Sequence, residues 1–549
     1  MPLRFVRARV WYNLGPMSLN RRDFLASASA AAFAGFHCSQ ASDATPDNRP
    51  NIVIIMSDDM GFSDIGCYGG EISTPNLDRL AENGLRFTQF YNAARCCPTR
   101  ASLLTGLYQH QAGVGHMVGD RGVPAYQGYL NDKCATIAEV LNPAGYVTMI
   151  SGKWHVGETE PHWPDKRGFQ RAFGLISGGS NYFKLDGARQ MAFDGKPWDP
   201  PEDGSFYMTD AFGDHAVQFL DESASGDEPF FLYLPFTAPH WPLHAPQAEI
   251  DKYKGKYSMG WDELRKTRYA RMQQMGVIDE QWPLSPRDED SMPWEDVENK
   301  ALWERRMEVY AAMIDRMDQN IGKVLGKIRE LGKEENTLVL FLADNGGCHE
   351  SADIEQGTPR NTWGNPNAMP GGVDSFDGYD LPWANVSNTP FRRFKSWVHE
   401  GGISSPLVCH WPAGISQPGG TITNQVGHII DLMATAVDLG EAEYPADKTP
   451  LQGKSLRPIF ETGARDPHEA IFWEHEGNRA VRMANWKLVS RFNRGAKQVG
   501  PWELYDLAAD RSELNNLLEE MPDKAAEMEA AYQAWAERAG VVPFNELPS

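Results

Sequence analysis

The chain has 549 residues, 41 % of them hydrophobic and 23 % charged, the composition of an ordinary globular protein long enough for two or more domains. Its 52 basic against 74 acidic side chains leave a net charge of −22, which excludes nucleic acid as a partner and obliges any site for an anionic substrate to build a positive field locally. The seven cysteines, at 38, 67, 96, 97, 134, 348 and 409, follow neither metal-site nor disulfide-framework spacing.

Residues 1–44 read as an export leader. Asn20-Arg21-Arg22-Asp23-Phe24-Leu25 resembles a twin-arginine signal, and the apolar run that follows ends at Phe36, too short to span a bilayer. The expected location is periplasmic or secreted, with the twin-arginine translocation machinery as a partner. Past the leader, Asn51 to Met56 is a continuous apolar run rich in β-branched residues, the mark of a strand buried on both faces of a parallel sheet. A helix begins at Thr74-Pro75, with Pro in its first turn, and Leu85 to Tyr91 reads as the next strand. A further helix opens at Cys96. Ala135–Leu141 and Thr209–Leu220 read as helices, and Tyr146–Ser151 and Phe230–Pro235 as strands. Residues 246–298 are polar and rich in Trp and Met without a period, and read as an insertion on the ligand side. Met313, Met317, Ile321, Val324 and Ile328 recur at helical spacing. Thr337–Leu342 is a buried strand, 351–388 a long Gly-, Pro- and Asn-rich loop, and Pro406–Trp411 and Gly427–Leu439 a last strand and helix. A connector at 441–450 leads to short apolar runs at 470–473, 478–483, 486–491 and 503–506, an antiparallel sheet, and then to a charged helix over 523–539. The expected organisation is therefore a leader (1–44), an α/β catalytic domain (45–440) and a smaller α+β domain (441–549).

Asp58 and Asp59 end one predicted strand, and Asp344 and Asn345 end another. Three carboxylates and a carboxamide are hard oxygen ligands, suited to Ca²⁺ or Mg²⁺, and strand C-terminal ends are where open α/β sheets bind ligands.

Arg95-Cys96-Cys97-Pro98-Thr99-Arg100-Ala101-Ser102-Leu103-Leu104-Thr105-Gly106 resembles the signature of the type I sulfatases. Four further elements accompany it in family order: Lys153-Trp154-His155-Val156-Gly157; Pro239-His240-Trp241-Pro242; Thr389-Pro390-Phe391-Arg392-Arg393-Phe394-Lys395; and Glu400-Gly401-Gly402-Ile403. The resemblance covers about residues 50 to 510. It implies an alkaline-phosphatase-like fold, a mixed and mostly parallel sheet between helices with a small C-terminal antiparallel sheet. Residues 383–390 and 260–265 look like the arylsulfatase branch.

By the same resemblance Cys96 is converted by a formylglycine-generating enzyme to formylglycine (3-oxoalanine), whose hydrate is the nucleophile. Asp58, Asp59, Asp344 and Asn345 hold Ca²⁺ together with an oxygen of that residue 96. Lys153 and Lys395 bind the sulfate, Arg100 neutralises the oxyanion, His155 orients a hydroxyl and serves as the candidate base, and His240 is the general acid at the leaving oxygen. The expected activity is hydrolysis of an aryl sulfate or a sulfated carbohydrate to an alcohol and inorganic sulfate. Two other readings use the same residues: a phosphonate or phosphate monoester hydrolase on this frame, and a non-catalytic binder of sulfated glycans.

Overall fold

In the computed structural model the described residues are 47–548 apart from 225, 351–353, 356–357, 360–364 and 366–367. The export segment expected at 1–44, Cys38 and part of the loop expected at 351–388 lie outside them. Asn48–Ser549 form one compact unit.

A ten-stranded sheet organises the molecule. In chain order its strands are β1 (Asn51–Ser57), β2 (Leu85–Tyr91), β3 (Val147–Ser151), β4 (Arg171–Leu175), β5 (Met191–Phe193), β6 (Lys196–Trp198), β7 (Phe230–Pro235), β8 (Thr337–Ala343), β9 (Ser404–His410) and β10 (Thr421–His428). Across the sheet the order is β10-β2-β9-β8-β1-β7-β3-β4-β5-β6. The run β8-β1-β7-β3-β4 is parallel, β9 runs antiparallel to both neighbours, and β10 pairs parallel with β2. The sheet is thus mixed and mostly parallel, as the sequence leads one to expect.

Central-strand burial explains the unbroken apolar runs. Val53 and Ile55 of β1 enter one core with Met313, Met317 and Ile321 of the long helix at Lys300–Glu330. Ile52, Ile54 and Met56 enter the opposite core with Leu103, Leu104, Leu432 and Met433. Each face is therefore covered by helices, and no alternation with polar residues is possible.

The C-terminal region adds a four-stranded antiparallel sheet of β11 (Ile471–His475), β12 (Asn478–Met483), β13 (Trp486–Ser490) and β14 (Glu503–Asp506). Its Val481, Leu488 and Leu504 share the second core with Met528 and Trp535 of the helix at Pro522–Ala539.

Three segments differ from the sequence-based expectation. The unperiodic 246–298 stretch contains a helix, Gly260–Gln274. Its buried side carries Arg265 and Arg268 beside Trp261 and Leu264; Arg268 pairs with Asp64 at 2.6 Å and Glu71 at 2.8 Å, so buried charge hides the apolar stripe. The loop expected over 351–388 ends in a helix, Asp380–Ser387, whose buried residues include Pro382 and Asn385. Residues 421–428, partly taken as helix, form edge strand β10, largely half-exposed, and the helix itself is Asp431–Leu439.

Candidate active site

Six segments bring side chains to one edge of the sheet, the C-terminal end of its parallel strands. The β1–β8 register sets Ser57 against Ala343, so Asp58 and Asp344 emerge side by side. Asp59 turns through the left-handed region, φ 66°, a conformation Asp tolerates better than most residues. Its backbone N–H donates to Asp344 Oδ1 at 3.1 Å, and Asn345 Nδ2 donates to Asp59 Oδ1 at 2.8 Å. Thr99 Oγ1 donates to the Asp344 carbonyl at 2.6 Å, tying the cysteine helix to β8.

That helix, Cys96–Thr105, begins with Cys96 itself, which places residue 96 at the positive end of the helix dipole. Cys96 is 1 % exposed. Cys96, Cys97 and His155 offer ligand atoms within 4.8 Å of one another, and so do Asp58, Asp59 and His240.

Of the basic groups expected in the site, all but His155 meet a carboxylate there. Lys153 Nζ donates to Asp58 Oδ2 at 2.5 Å. Arg100 Nη2 donates to Asp344 Oδ2 at 3.0 Å and lies 3.6 Å from Asp58 Oδ2. Lys395 Nζ donates to Asp59 Oδ2 at 2.8 Å, and His240 Nε2 lies 3.5 Å from that same oxygen. His240 Nδ1 is 2.5 Å from the Trp241 carbonyl; a carbonyl only accepts, so this nitrogen carries a proton and Nε2 faces the site.

Burial and charge set the protonation states. Burial pushes the Asp58 carboxyl up, but Lys153, then His240 and Arg100, outweigh it and hold it at about 2. Burial first, and then the Asp58 charge, push Asp344 well above the usual carboxylate range. Hydrogen bonding to Cys97 is the main cause holding the Cys96 thiol well below its usual value, and Lys153 and His155 add to it. Burial lowers His155 to about 4, so its ring is neutral and able to accept a proton. Burial opposes the Lys395 charge, yet Asp59 holds that ammonium well above its usual value.

The residues expected from sequence, Asp58, Asp59, Cys96, Arg100, Lys153, His155, His240, Asp344, Asn345 and Lys395, therefore form one connected cluster. Asp58 Oδ1 and Asn345 Oδ1 are buried there without any hydrogen-bond partner, as are Arg100 Nε and His155 Nδ1. Two orphaned oxygens in a set of hard donors fit a divalent cation such as Ca²⁺.

Three supporting residues escaped the sequence reading. Arg95 Nη1 donates to Ser396 Oγ at 2.7 Å and pairs with Glu350, and Glu350 Oε2 lies 3.7 Å from Lys395 Nζ. Tyr182 OH donates to the carbonyls of Thr237 at 2.7 Å and His240 at 2.8 Å, fixing the His240 turn. Adjacency to Cys96 was a signal for Arg95; Glu350 and Tyr182 carry none.

The sulfatase family profile matches residues 50–442, and a profile described as N-sulphoglucosamine sulphohydrolase, C-terminal, matches 392–536. An uncharacterized sulfatase of Schizosaccharomyces pombe is 36 % identical over 528 residues, 90 % of this chain and 94 % of that protein. An arylsulfatase of Klebsiella aerogenes is 36 % identical over 417 residues, covering 73 % of this chain and 88 % of its own. Among solved structures, Ps i-CgsB in complex with k-i-k-neocarrahexaose superposes with a TM-score of 0.66 at 25 % identity, over 91 % of this chain and 94 % of that one. With the signature cysteine, the carboxylate cluster and the basic groups around it assembled at one sheet edge, the chain belongs to the sulfatase family, has its alkaline-phosphatase-like fold, and is a sulfuric ester hydrolase.

Proposed function

We propose that this enzyme cleaves sulfate esters with a formylglycine made from Cys96 and with Ca²⁺ held by Asp58, Asp59, Asp344 and Asn345. The observation that carries the reading is the juxtaposition at one sheet edge of a buried cysteine at a helix N-terminus and a carboxylate cluster with two unpartnered oxygens. Formylglycine, hydrated, supplies a nucleophilic hydroxyl together with a second one through which sulfate can later be expelled. Ca²⁺, when bound, supplies Lewis-acid polarisation of a sulfate oxygen and lowers the pKa of the attacking hydroxyl.

The chain's own residues supply the rest. Asp58, Asp59 and Asp344 face Arg100, Lys153 and Lys395, and a divalent cation added among them would shift the balance toward the positive charge that an anionic ester needs beneath an acidic surface. Lys153 and Lys395 are placed to donate to the non-bridging oxygens, where charge grows in the transition state. His240 gives a proton to the departing alkoxide through Nε2, and neutral His155 takes one from the hydroxyl at residue 96.

The Klebsiella aerogenes relative is named an arylsulfatase, and Ps i-CgsB holds a neocarrahexaose; both an aryl sulfate and a sulfated carbohydrate are therefore substrates to test. Arg21-Arg22 and the apolar run after them support export to the periplasm or beyond through the twin-arginine machinery, with conversion by a formylglycine-generating enzyme beforehand.

Mass spectrometry of the peptide spanning Cys96, from protein made in its own host, tests the reading. Loss of the sulfur and capture of an aldehyde by a hydrazide are the expected result. An enzyme that hydrolyses 4-nitrophenyl sulfate with Cys96 wholly an unmodified thiol overturns it.

A further inference from the structure

Two groups of side chains among the described residues have donor atoms spaced to share a metal ion, and Asp58 and Asp59 with His240 belong to the centre described above. The other group is Cys96, Cys97 and His155, one donor from each lying within 4.8 Å of the others, and its chemistry is of the opposite kind. Two sulfurs and an imidazole are soft donors, poor partners for Ca²⁺ and good ones for Cu⁺ or Zn²⁺. Donors so spaced can meet on one ion at metal–ligand distances of about 2.0–2.3 Å.

The fold holds these donors in place. Cys96 and Cys97 open the helix Cys96–Thr105, where the dipole favours thiolates, the form of cysteine that binds metal. His155 stands at φ 56°, a conformation uncommon outside glycine, and its N–H donates to the Ile176 carbonyl at 3.2 Å. Gly178 gives the ring its room, since a Cβ there would fall 2.5 Å from Nε2. The ring's Nδ1 is buried without a hydrogen-bond partner, so the imidazole keeps an unused nitrogen. A fourth soft group is at hand: Met117 Sδ lies 3.8 Å from Cys97 Sγ. Met117 is half-buried, whereas Cys96, Cys97 and His155 are 1 %, 0 % and 4 % exposed, so the thioether is the donor most open to solvent. A thioether beside thiols favours Cu⁺ over Zn²⁺.

We propose that the chain with Cys96 still a thiol binds one Cu⁺ through Cys96, Cys97 and His155, with Met117 beside them. Binding releases the thiol protons and transfers no electron. Conversion of residue 96 removes one of the two sulfurs, so the soft site and formylglycine exclude each other. A chain that escapes conversion then keeps a metal site that the mature enzyme lacks. Only this exclusion rests on the formylglycine reading above; binding by the thiol form does not.

The test titrates the full chain with Cu⁺, kept reduced by ascorbate under nitrogen and held by bicinchoninate as competitor. One preparation is made without the converting enzyme, with Cys96 a thiol by mass spectrometry, and a second is fully converted; Cys97→Ser and Met117→Leu are made unconverted. The unconverted parent is expected to take up one Cu⁺ per molecule, and the converted chain and both variants to hold it about tenfold or more weaker. Cys67, Cys134, Cys348 and Cys409 remain in every sample, so uptake by stray thiols would not follow these changes. Thermal midpoints without metal show whether the variants fold, and Met117→Leu, a volume-conserving change, decides the matter if Cys97→Ser does not. No transfer of Cu⁺ from bicinchoninate to the unconverted parent, an affinity unchanged in both variants, or equal affinity in the converted chain overturns the site. A chain that the converting enzyme never modifies brings down the formylglycine reading alone, because the unconverted parent and the two variants still decide the thiol site.

Discussion

Two of the buried charge clusters among the described residues are built in opposite ways. At the base of the C-terminal sheet, Glu400 and Glu513 face Lys487 and Arg511, all with side chains 0 % exposed. Every carboxylate oxygen there has a donor or cation: Lys487 at 2.9 and 2.8 Å, Arg511 at 2.9 Å, Tyr91 and Ser404 at 3.0 Å, and the Glu400 N–H at 2.9 Å. At the sheet edge the charges are as deeply buried, but Asp58 Oδ1 and Asn345 Oδ1 have no partner. A closed cluster fixes geometry and asks for nothing further. An open one is destabilised until something fills it, and that is how a binding site differs from a clasp when both are ionic.

The expected consequences run from the open cluster to the closed one. Cys96→Ala should reduce turnover of 4-nitrophenyl sulfate to background, a loss on the order of 10⁵-fold or more, with the thermal midpoint within a few degrees of the parent because a small buried residue replaces another. Asp344→Ala should strip the metal, read by elemental analysis, and slow turnover on the order of 10³-fold or more; a full complement of metal in this variant would remove Asp344 from the ligand set. His240→Ala should cost roughly 10²–10⁴-fold on esters of poorly acidic alcohols and much less on acidic phenols, whereas Lys395→Ala should slow all esters alike. A series of substituted phenyl sulfates separates the two, and an unchanged leaving-group dependence in His240→Ala would mean that the proton comes from elsewhere.

The closed cluster should answer in stability. Lys487→Met leaves Glu400 and Glu513 short of a partner and is expected to cost about 3–5 kcal/mol, measured as a shift of the denaturant midpoint. Burial works against the Glu400 charge, but Lys487 and Arg511 hold it at about 2 from an ordinary 4.5. The unfolded chain therefore takes up this proton first on acidification. The resulting stabilisation, about 3 kcal/mol, is present above pH 4.5 and lost as the pH falls from there through 2. Glu400→Gln should remove that part of the pH dependence.

The central frame was legible because strands buried on both faces write themselves as runs such as Asn51–Met56 and Thr337–Leu342. The site was legible because its residues stand at the ends of those runs or in compact motifs around Cys96, Lys153, His240 and Lys395. What stayed hidden is polar at the point of burial. The helix at Gly260–Gln274 turns Arg268 inward to Asp64 and Glu71, so no apolar period marks it. Edge strand β10 is neither apolar nor alternating. Glu350 acts through Arg95 and Lys395, both distant in the chain, and only the fold brings them to it.

Cys96 is 1 % exposed, beside Cys97 and His155. On the proposed chemistry, that burial turns maturation into a race. A second protein can reach this thiol only while the chain is open, and once the sheet edge has closed the opportunity has passed. Molecules that win the race and molecules that lose it share the same fold and size, differing at one side chain. The specific activity of any preparation is then a record of how many chains were intercepted in time, and overproduction without more of the converting enzyme should yield more protein and a smaller working fraction.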